Sequence, residues 1–224
     1  WKLDRKEHHA NGVTLLEASA GTGKTYVASR LARLLIGSTE AKQVERVQFH
    51  QSMSYEDFVQ GYRPAAGGGF ERRDGPFLRF CNLAMQDQEN DYVMLIDEIN
   101  RGNLSRILGE LMLLIEPDKR KPEWGVTLSY ADEGEARFWV PPNLHIIGTM
   151  NTADRSLALV DYALRRRFAF VDLPSAIRTE RFGAHLQSRG VPPSLVASIR
   201  AAFVKLNCQI GDDPNLGDGF RIGH

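Results

Sequence analysis

Residues Ala18-Ser19-Ala20-Gly21-Thr22-Gly23-Lys24-Thr25 have the types and spacing of a phosphate-binding loop. Small residues let successive backbone N–H groups turn toward one point and hold phosphate oxygens. Lys24 adds a point charge for the outer phosphates, and the Thr25 hydroxyl is an oxygen donor suited to Mg²⁺. A helix starting at the lysine would aim its positive end at the same anion. Ala18 stands where the pattern has its first glycine. One extra methyl is tolerated there if the position needs no positive φ. Ala20, Gly21, Thr22, Gly23, Lys24, Thr25 and Tyr26 form the predicted nucleotide-binding set.

Three further groups could do chemistry on a bound phosphate. Asp97 and Glu98 follow the apolar run Val93-Met94-Leu95-Ile96, so two carboxylates emerge at the end of a buried strand. Asp97 would hold Mg²⁺, and Glu98 would polarise an attacking water as general base. Asn151 and Asp154 lie in the polar stretch Gly148 to Ser156 that ends another apolar strand. Asn151 both donates and accepts, so it suits placing a water. Asp154 either helps orient that water or caps the helix that follows. Arg165-Arg166-Arg167 are three cations at a helix end. They complement the helix dipole, or one of them reaches a phosphate in a neighbouring subunit.

Those residues need elements to position them. Val13 to Leu16 predicts a buried strand before the loop, and Thr25 to Ile36 an amphipathic helix after it, stopped by Gly37. Strands are predicted over Val44 to Phe49, Tyr92 to Ile96, Leu144 to Thr149 and Ala169 to Leu173. Ser54-Tyr55-Glu56-Asp57 predicts a capped short helix. Gly61 to Pro76 reads as a loop around Gly67-Gly68-Gly69, and Phe77 to Met85 as a helix. Asn103 to Glu116 predicts one amphipathic helix ended by Pro117. Val126 to Tyr130 and Arg137 to Val140 predict a β-hairpin insertion across the acidic turn Asp132-Glu133-Gly134-Glu135. Leu157 to Phe168, Arg181 to Gln187 and Ser194 to Leu206 predict helices. Alternating strands and helices imply an α/β fold with a parallel sheet between helices. The division expected is an α/β domain over 1–174 and a helical lid over 175–224, the lid C-terminally incomplete.

Composition narrows the function classes. With 224 residues and 42% hydrophobic content, the chain can bury one large α/β core and begin a second. Net charge is zero, so no global basic field advertises nucleic acid. No apolar run reaches the ~18 residues that span a bilayer. Cys81 and Cys208 sit in no metal or redox spacing, which is the expectation for free thiols in a reducing cytoplasm. His8-His9 lack ligand partners, and His50 and His145 occupy strand positions suited to packing or hydrogen bonding. No nuclease carboxylate cluster is apparent in the sequence. Arg63, Arg72 and Arg73 either face DNA or a partner, or are simply solvated on their loop. A start at Trp1 rather than Met predicts a piece of a longer protein.

The order of strand, Gly21-Thr22-Gly23-Lys24-Thr25, Asp97-Glu98, polar strand end and terminal arginines resembles the AAA+ ring-forming NTPases. Met150 to Ser156, Asp161 to Phe168, Val47 to Gln51, Tyr55 to Phe58, Gly61 to Pro64, Asp97 to Arg101 and Gly219 to His224 resemble the McrB family more closely. That resemblance covers residues 13–224. It implies a Mg²⁺-dependent motor that hydrolyses GTP rather than ATP, works as a homo-hexameric ring and recruits a nuclease subunit, McrC. Hydrolysis would drive movement along DNA, whose modification is read by an N-terminal domain absent from this chain. It also implies that Asn151 and Asp154 assist hydrolysis, that Arg166 or Arg167 is a finger acting on a neighbour's nucleotide, and that Arg221 is a lid sensor. Two departures stand out. The family loop carries G-P-P-G where this chain has Ala18-Ser19-Ala20-Gly21, and the chain stops just after Arg221. Two other readings share the core motifs: an ATP-driven remodelling protein, and a nucleotide-gated assembly module with little turnover.

Overall fold

A computed structural model describes residues 13–19, 21–37, 41–153 and 167–222. Strand β1 (Val13–Ala18) leads through the glycine loop into helix α1 (Lys24–Ile36), and Gly37 ends that helix in the left-handed region, φ 65°. Strand β2 (Val44–Gln48) and the short helix α2 (Tyr55–Phe58) follow. Asp57 Oδ2 accepts from both the Ser54 backbone N–H and its hydroxyl, 3.0 Å each, which fixes the helix start. Next come β3 (Gln60–Pro64), β4 (Phe70–Asp74), helix α3 (Pro76–Gln86) and β5 (Tyr92–Asp97). Helices α4 (Leu104–Leu108) and α5 (Leu111–Leu114) precede β6 (Leu144–Asn151) and β7 (Phe168–Asp172). Beyond β7 the described residues hold helices α6 (Glu180–Ser188) and α7 (Pro193–Asp212) and no strand.

Five strands form one parallel sheet in the order β2-β5-β6-β1-β7. Both faces are covered, which is why its central strands are mostly apolar. Val13 and Leu15 face a core with Phe49, Phe58, Phe77 and Ile107. Leu16 and Ala18 face the other, with Ala28 and Ala32 of α1. The expected helix-sandwiched α/β fold is therefore present. Arg120 is buried and donates to the carbonyls of Ile115 and Leu144, tying the end of α5 to the start of β6. Burial pulls its pKa down to about 10.

Four local expectations need correction. The segment expected as a loop over 61–76 is mostly an antiparallel hairpin, β3 with β4, with Tyr62 opposite Arg72. Its strands lack apolar alternation, so periodicity misses them. Ion pairs of Arg63 with Asp57 and of Arg72 with Glu135 and Asp132 hold it instead. The helix expected over Asn103 to Glu116 breaks at Gly109 (φ 50°, ψ −127°) into α4 and α5. The Tyr55 ring lies 3.2 Å from where a Gly109 side chain would begin, and its hydroxyl donates to Glu110 at 2.7 Å, so the chain bends around it. The hairpin expected over Val126 to Val140 shrinks to one bridge, Val126 with Phe138. Side chains take its backbone groups: Glu110 accepts from Ser129 N–H, and Arg72 donates to the Tyr130 carbonyl. Phe168 opens β7 rather than closing a helix, paired with Val13. The rest of that expected helix, through residue 166, lies outside the described residues, as do His8 and His9.

Candidate functional site

The sheet's carboxyl edge carries the site. Gly21 and Gly23 take φ 76° and 79° between β1 and α1, a region open to glycine. Ala18 has no positive φ, since Glu98 is the one non-glycine with that geometry among the described residues. The extra methyl is thus accommodated within β1. The Thr22 hydroxyl donates to the Ser19 carbonyl at 3.0 Å and braces the loop. Lys24 Nζ donates to the carbonyls of Ala18 (2.9 Å) and Ser19 (2.8 Å). Burial lowers the Lys24 pKa, while Glu98 and Asp97 act in the opposite sense.

Strand β5 brings its carboxylates to this loop. The Thr25 hydroxyl lies 3.3 Å from both Asp97 oxygens, across a separation of 72 positions in the chain. Thr149 of β6 donates its hydroxyl to Asp97 Oδ1 and accepts from the Glu98 backbone N–H at 3.3 Å. Glu98 sits in the left-handed region (φ 52°, ψ 45°), and its carboxylate pairs with Arg101 at 3.3 Å. Asn151 lies opposite Ala18 in the sheet register. Its Oδ1 accepts from Ala153 N–H at 3.2 Å, and Thr152 N–H donates to the Ala18 carbonyl. The polar end of β6 is therefore tied directly to the phosphate loop.

A cavity of about 440 Å³ opens between the loop and the helical region, within the range of small-ligand pockets. Its lining includes Ala18, Ser19 and Thr22 of the loop region, Leu173 and Ile177, and Asn207 and Arg221 of the last helical stretch. The Asn207 amide donates to the Ile222 carbonyl (3.0 Å) and accepts from its N–H (2.8 Å), which clamps the segment bearing Arg221.

Other expected site residues fall elsewhere. Tyr26 is 64% exposed and carries the Arg30 guanidinium on its ring, away from the cavity lining. Arg167 pairs with Glu116 of its own chain at 2.5 Å. Ala20, Asp154 and Arg166 lie outside the described residues, as do Gly223 and His224. Arg63, Arg72 and Arg73, left between a DNA surface and a solvated loop, are each paired with acids of this chain. His50, expected in a strand, lies beyond the end of β2 and bonds Ser52, while His145 in β6 bonds Asp91.

Sequence reasoning missed Thr149 and Asn207 as site residues. Thr149 had a signal, a hydroxyl near the end of a mostly apolar strand. Asn207 had none, because only the fold brings it to Ile222. Among the described residues no helix is long and apolar enough to cross a membrane.

Comparison with known proteins adds to this geometry. The AAA domain family (dynein-related subfamily) matches residues 14–168. The Type IV methyl-directed restriction enzyme EcoKMcrB subunit of Escherichia coli (strain K12) is 52% identical over 211 residues, which is 94% of this chain and 46% of that protein. The Type II restriction enzyme BsuMI component YdiS of Bacillus subtilis (strain 168) is 27% identical over 128 residues, 53% of this chain and 37% of that protein. The chain spans less than half the length of either relative.

Proposed function

This chain belongs to the McrB family of AAA+ proteins, and from that premise we propose that it is the nucleoside-triphosphate-hydrolysing segment of a restriction motor. The observation that carries the reading is the meeting of Thr25 and Asp97 beneath the Lys24 loop. A hydroxyl and a carboxylate are hard oxygen donors, the set that suits Mg²⁺, which usually keeps waters and phosphate oxygens as its other ligands. A Mg²⁺ held there supplies positive charge that offsets the charge developing on a transferred phosphoryl group.

The chain's own residues have distinct roles in this reading. Gly21, Thr22 and Gly23 turn their N–H groups toward the phosphates, and Lys24 exchanges its loop carbonyls for phosphate oxygens. Glu98 takes the proton of the attacking water. Asn151 positions that water, with Asp154 as its neighbour in the same turn. Arg221, held by Asn207, contacts the nucleotide from the lid. The cavity between β1 and α7 accepts the base and ribose, and we assign the boundary between the α/β domain and the lid to Pro174. Arg166 or Arg167 is the finger that reaches a neighbouring subunit, and Arg167 would leave its pairing with Glu116 to do so.

The wider proposal follows the relatives. One relative is a methyl-directed restriction enzyme subunit by name. We assign GTP as substrate, a hexameric ring as the working form, DNA as the track and an McrC-like nuclease as the partner. Equilibrium binding of GTP and ATP analogues with Mg²⁺, beside Lys24→Ala, tests the substrate. GTP preference that vanishes in Lys24→Ala is the expected result. ATP preference would replace the restriction motor with a remodelling ATPase. Binding without turnover in an assembled ring would leave a nucleotide-gated assembly module.

A further inference from the structure

We propose that Thr149 is a positioning residue that sets both carboxylates of the site, with one hydroxyl acting on each in a different way. This inference rests on the nucleotide-site reading above. Its motivation is a pair of hydrogen bonds made by a single oxygen. Thr149 Oγ1 donates to Asp97 Oδ1, and the same oxygen accepts from the Glu98 backbone N–H at 3.3 Å. A hydroxyl can do both, because it carries one proton and two lone pairs.

The first bond orients Asp97. Its carboxylate is flanked by two hydroxyls, Thr149 from β6 and Thr25 from α1. Thr149 is only 4% exposed, so it is held by the sheet rather than by solvent. With Thr149 occupying one direction around Oδ1, the carboxylate is fixed toward Thr25. Outer partners of this kind aim metal-binding oxygens and set their basicity.

The second bond orients Glu98. This residue has the one positive φ among described non-glycine residues. A left-handed conformation persists in such a residue only when its surroundings hold it. The Glu98 N–H bond to Thr149 is one such hold on its backbone, from which the carboxylate reaches Arg101 at 3.3 Å. Strand β6 therefore reports on β5 at the point where metal binding and water activation meet.

Threonine is a suitable side chain for this task. Its β-branch restricts χ1 and packs well in a central strand, so the hydroxyl has little freedom to turn away. Valine has nearly the same shape without the oxygen, and serine keeps the oxygen without the methyl.

The test compares Thr149→Val and Thr149→Ser with the unsubstituted chain. Nucleotide affinity is measured by equilibrium binding with and without Mg²⁺, and turnover is measured in the assembled protein. Thermal melting confirms folding of each variant. Thr149→Val is expected to bind nucleotide normally without Mg²⁺. It should need about 10-fold or more Mg²⁺ to reach the same Mg²⁺-dependent affinity, as outer-partner changes commonly require. Its kcat should fall while KM at saturating Mg²⁺ stays near that of the unsubstituted protein. Thr149→Ser should restore both. A Thr149→Val protein with unchanged Mg²⁺ dependence would overturn the proposal. A Thr149→Ser protein as impaired as Thr149→Val would overturn it too, since packing rather than the hydroxyl would then matter. If the unsubstituted chain binds no nucleotide, the nucleotide-site reading itself falls and takes this inference with it.

Discussion

Single side chains carry the chemistry, and their environments give distinct expectations. Lys24 is a half-buried ammonium whose partners are loop carbonyls, so its charge is poised for a better anion. Lys24→Ala should reduce nucleotide affinity by at least about 100-fold, since charge-assisted hydrogen bonds to phosphate contribute ~1.5–3 kcal/mol each and field effects add to them. Fluorescence titration with a nucleotide analogue checks this. Glu98 is assigned the proton, not the binding. Glu98→Gln should keep affinity and lower kcat by about 10²–10⁴-fold, the span of general-base catalysis. Unaltered turnover in an assembled ring would remove Glu98 from that role. Glu56 gives a pH expectation. Its pKa is lowered chiefly by the Tyr130 hydroxyl, 2.6 Å away. A depressed carboxyl pKa stabilises the fold above the ordinary carboxylate range and loses that contribution as pH falls through the depressed value. Tyr130→Phe should therefore move the Glu56 titration upward in carboxyl NMR.

Elements position these groups, and they are built in different ways. The central strands follow from apolar runs buried on both faces. The break between α4 and α5 follows from Gly109. The buried apolar residues of the two helices keep the expected period: Leu104, Ile107, Leu108, Leu111 and Leu114. The backbone nevertheless leaves the helix at ψ −127°, where glycine is favoured. Gly109→Ala should destabilise the fold by ~1–3 kcal/mol, the usual cost of a strained backbone position. Chemical denaturation would show it as a lower midpoint at unchanged slope. The β3–β4 hairpin depends on charge pairs more than on apolar burial. Its three arginines are each paired with an acid of this chain.

At the scale of the molecule, the cavity joins two parts that are far apart in sequence. Ser19 and Thr22 come from the phosphate loop, and Asn207 and Arg221 from the last helical stretch. A nucleotide seated there bridges both. Saturating GTP analogue with Mg²⁺ should raise the melting temperature, because a ligand that binds only the folded state at 100 times its Kd adds ~2.7 kcal/mol. Asn207→Ala should shrink that rise while leaving the ligand-free melting temperature nearly unchanged, since Asn207 acts through the exposed segment at Arg221 and Ile222. Differential scanning fluorimetry measures both. An equal loss with and without ligand would make Asn207 a simple structural tether.

The amino-acid sequence determined the α/β class, the phosphate loop and the two carboxylates, because each is written in short spacings. A glycine loop before a helix and an apolar run before Asp97-Glu98 are local signals that need no distant partner. The tertiary structure decided what no spacing encodes. It placed Thr25 against Asp97, bridged Asp97 and Glu98 through Thr149, closed a cavity with Asn207 and Arg221, and engaged Arg167 with Glu116. It also turned a glycine-rich stretch into a hairpin and one periodic helix into two. The physical reason is the same in each case. Hydrogen bonds and ion pairs between elements depend on which strands lie side by side, and periodicity reports only which face of an element is buried.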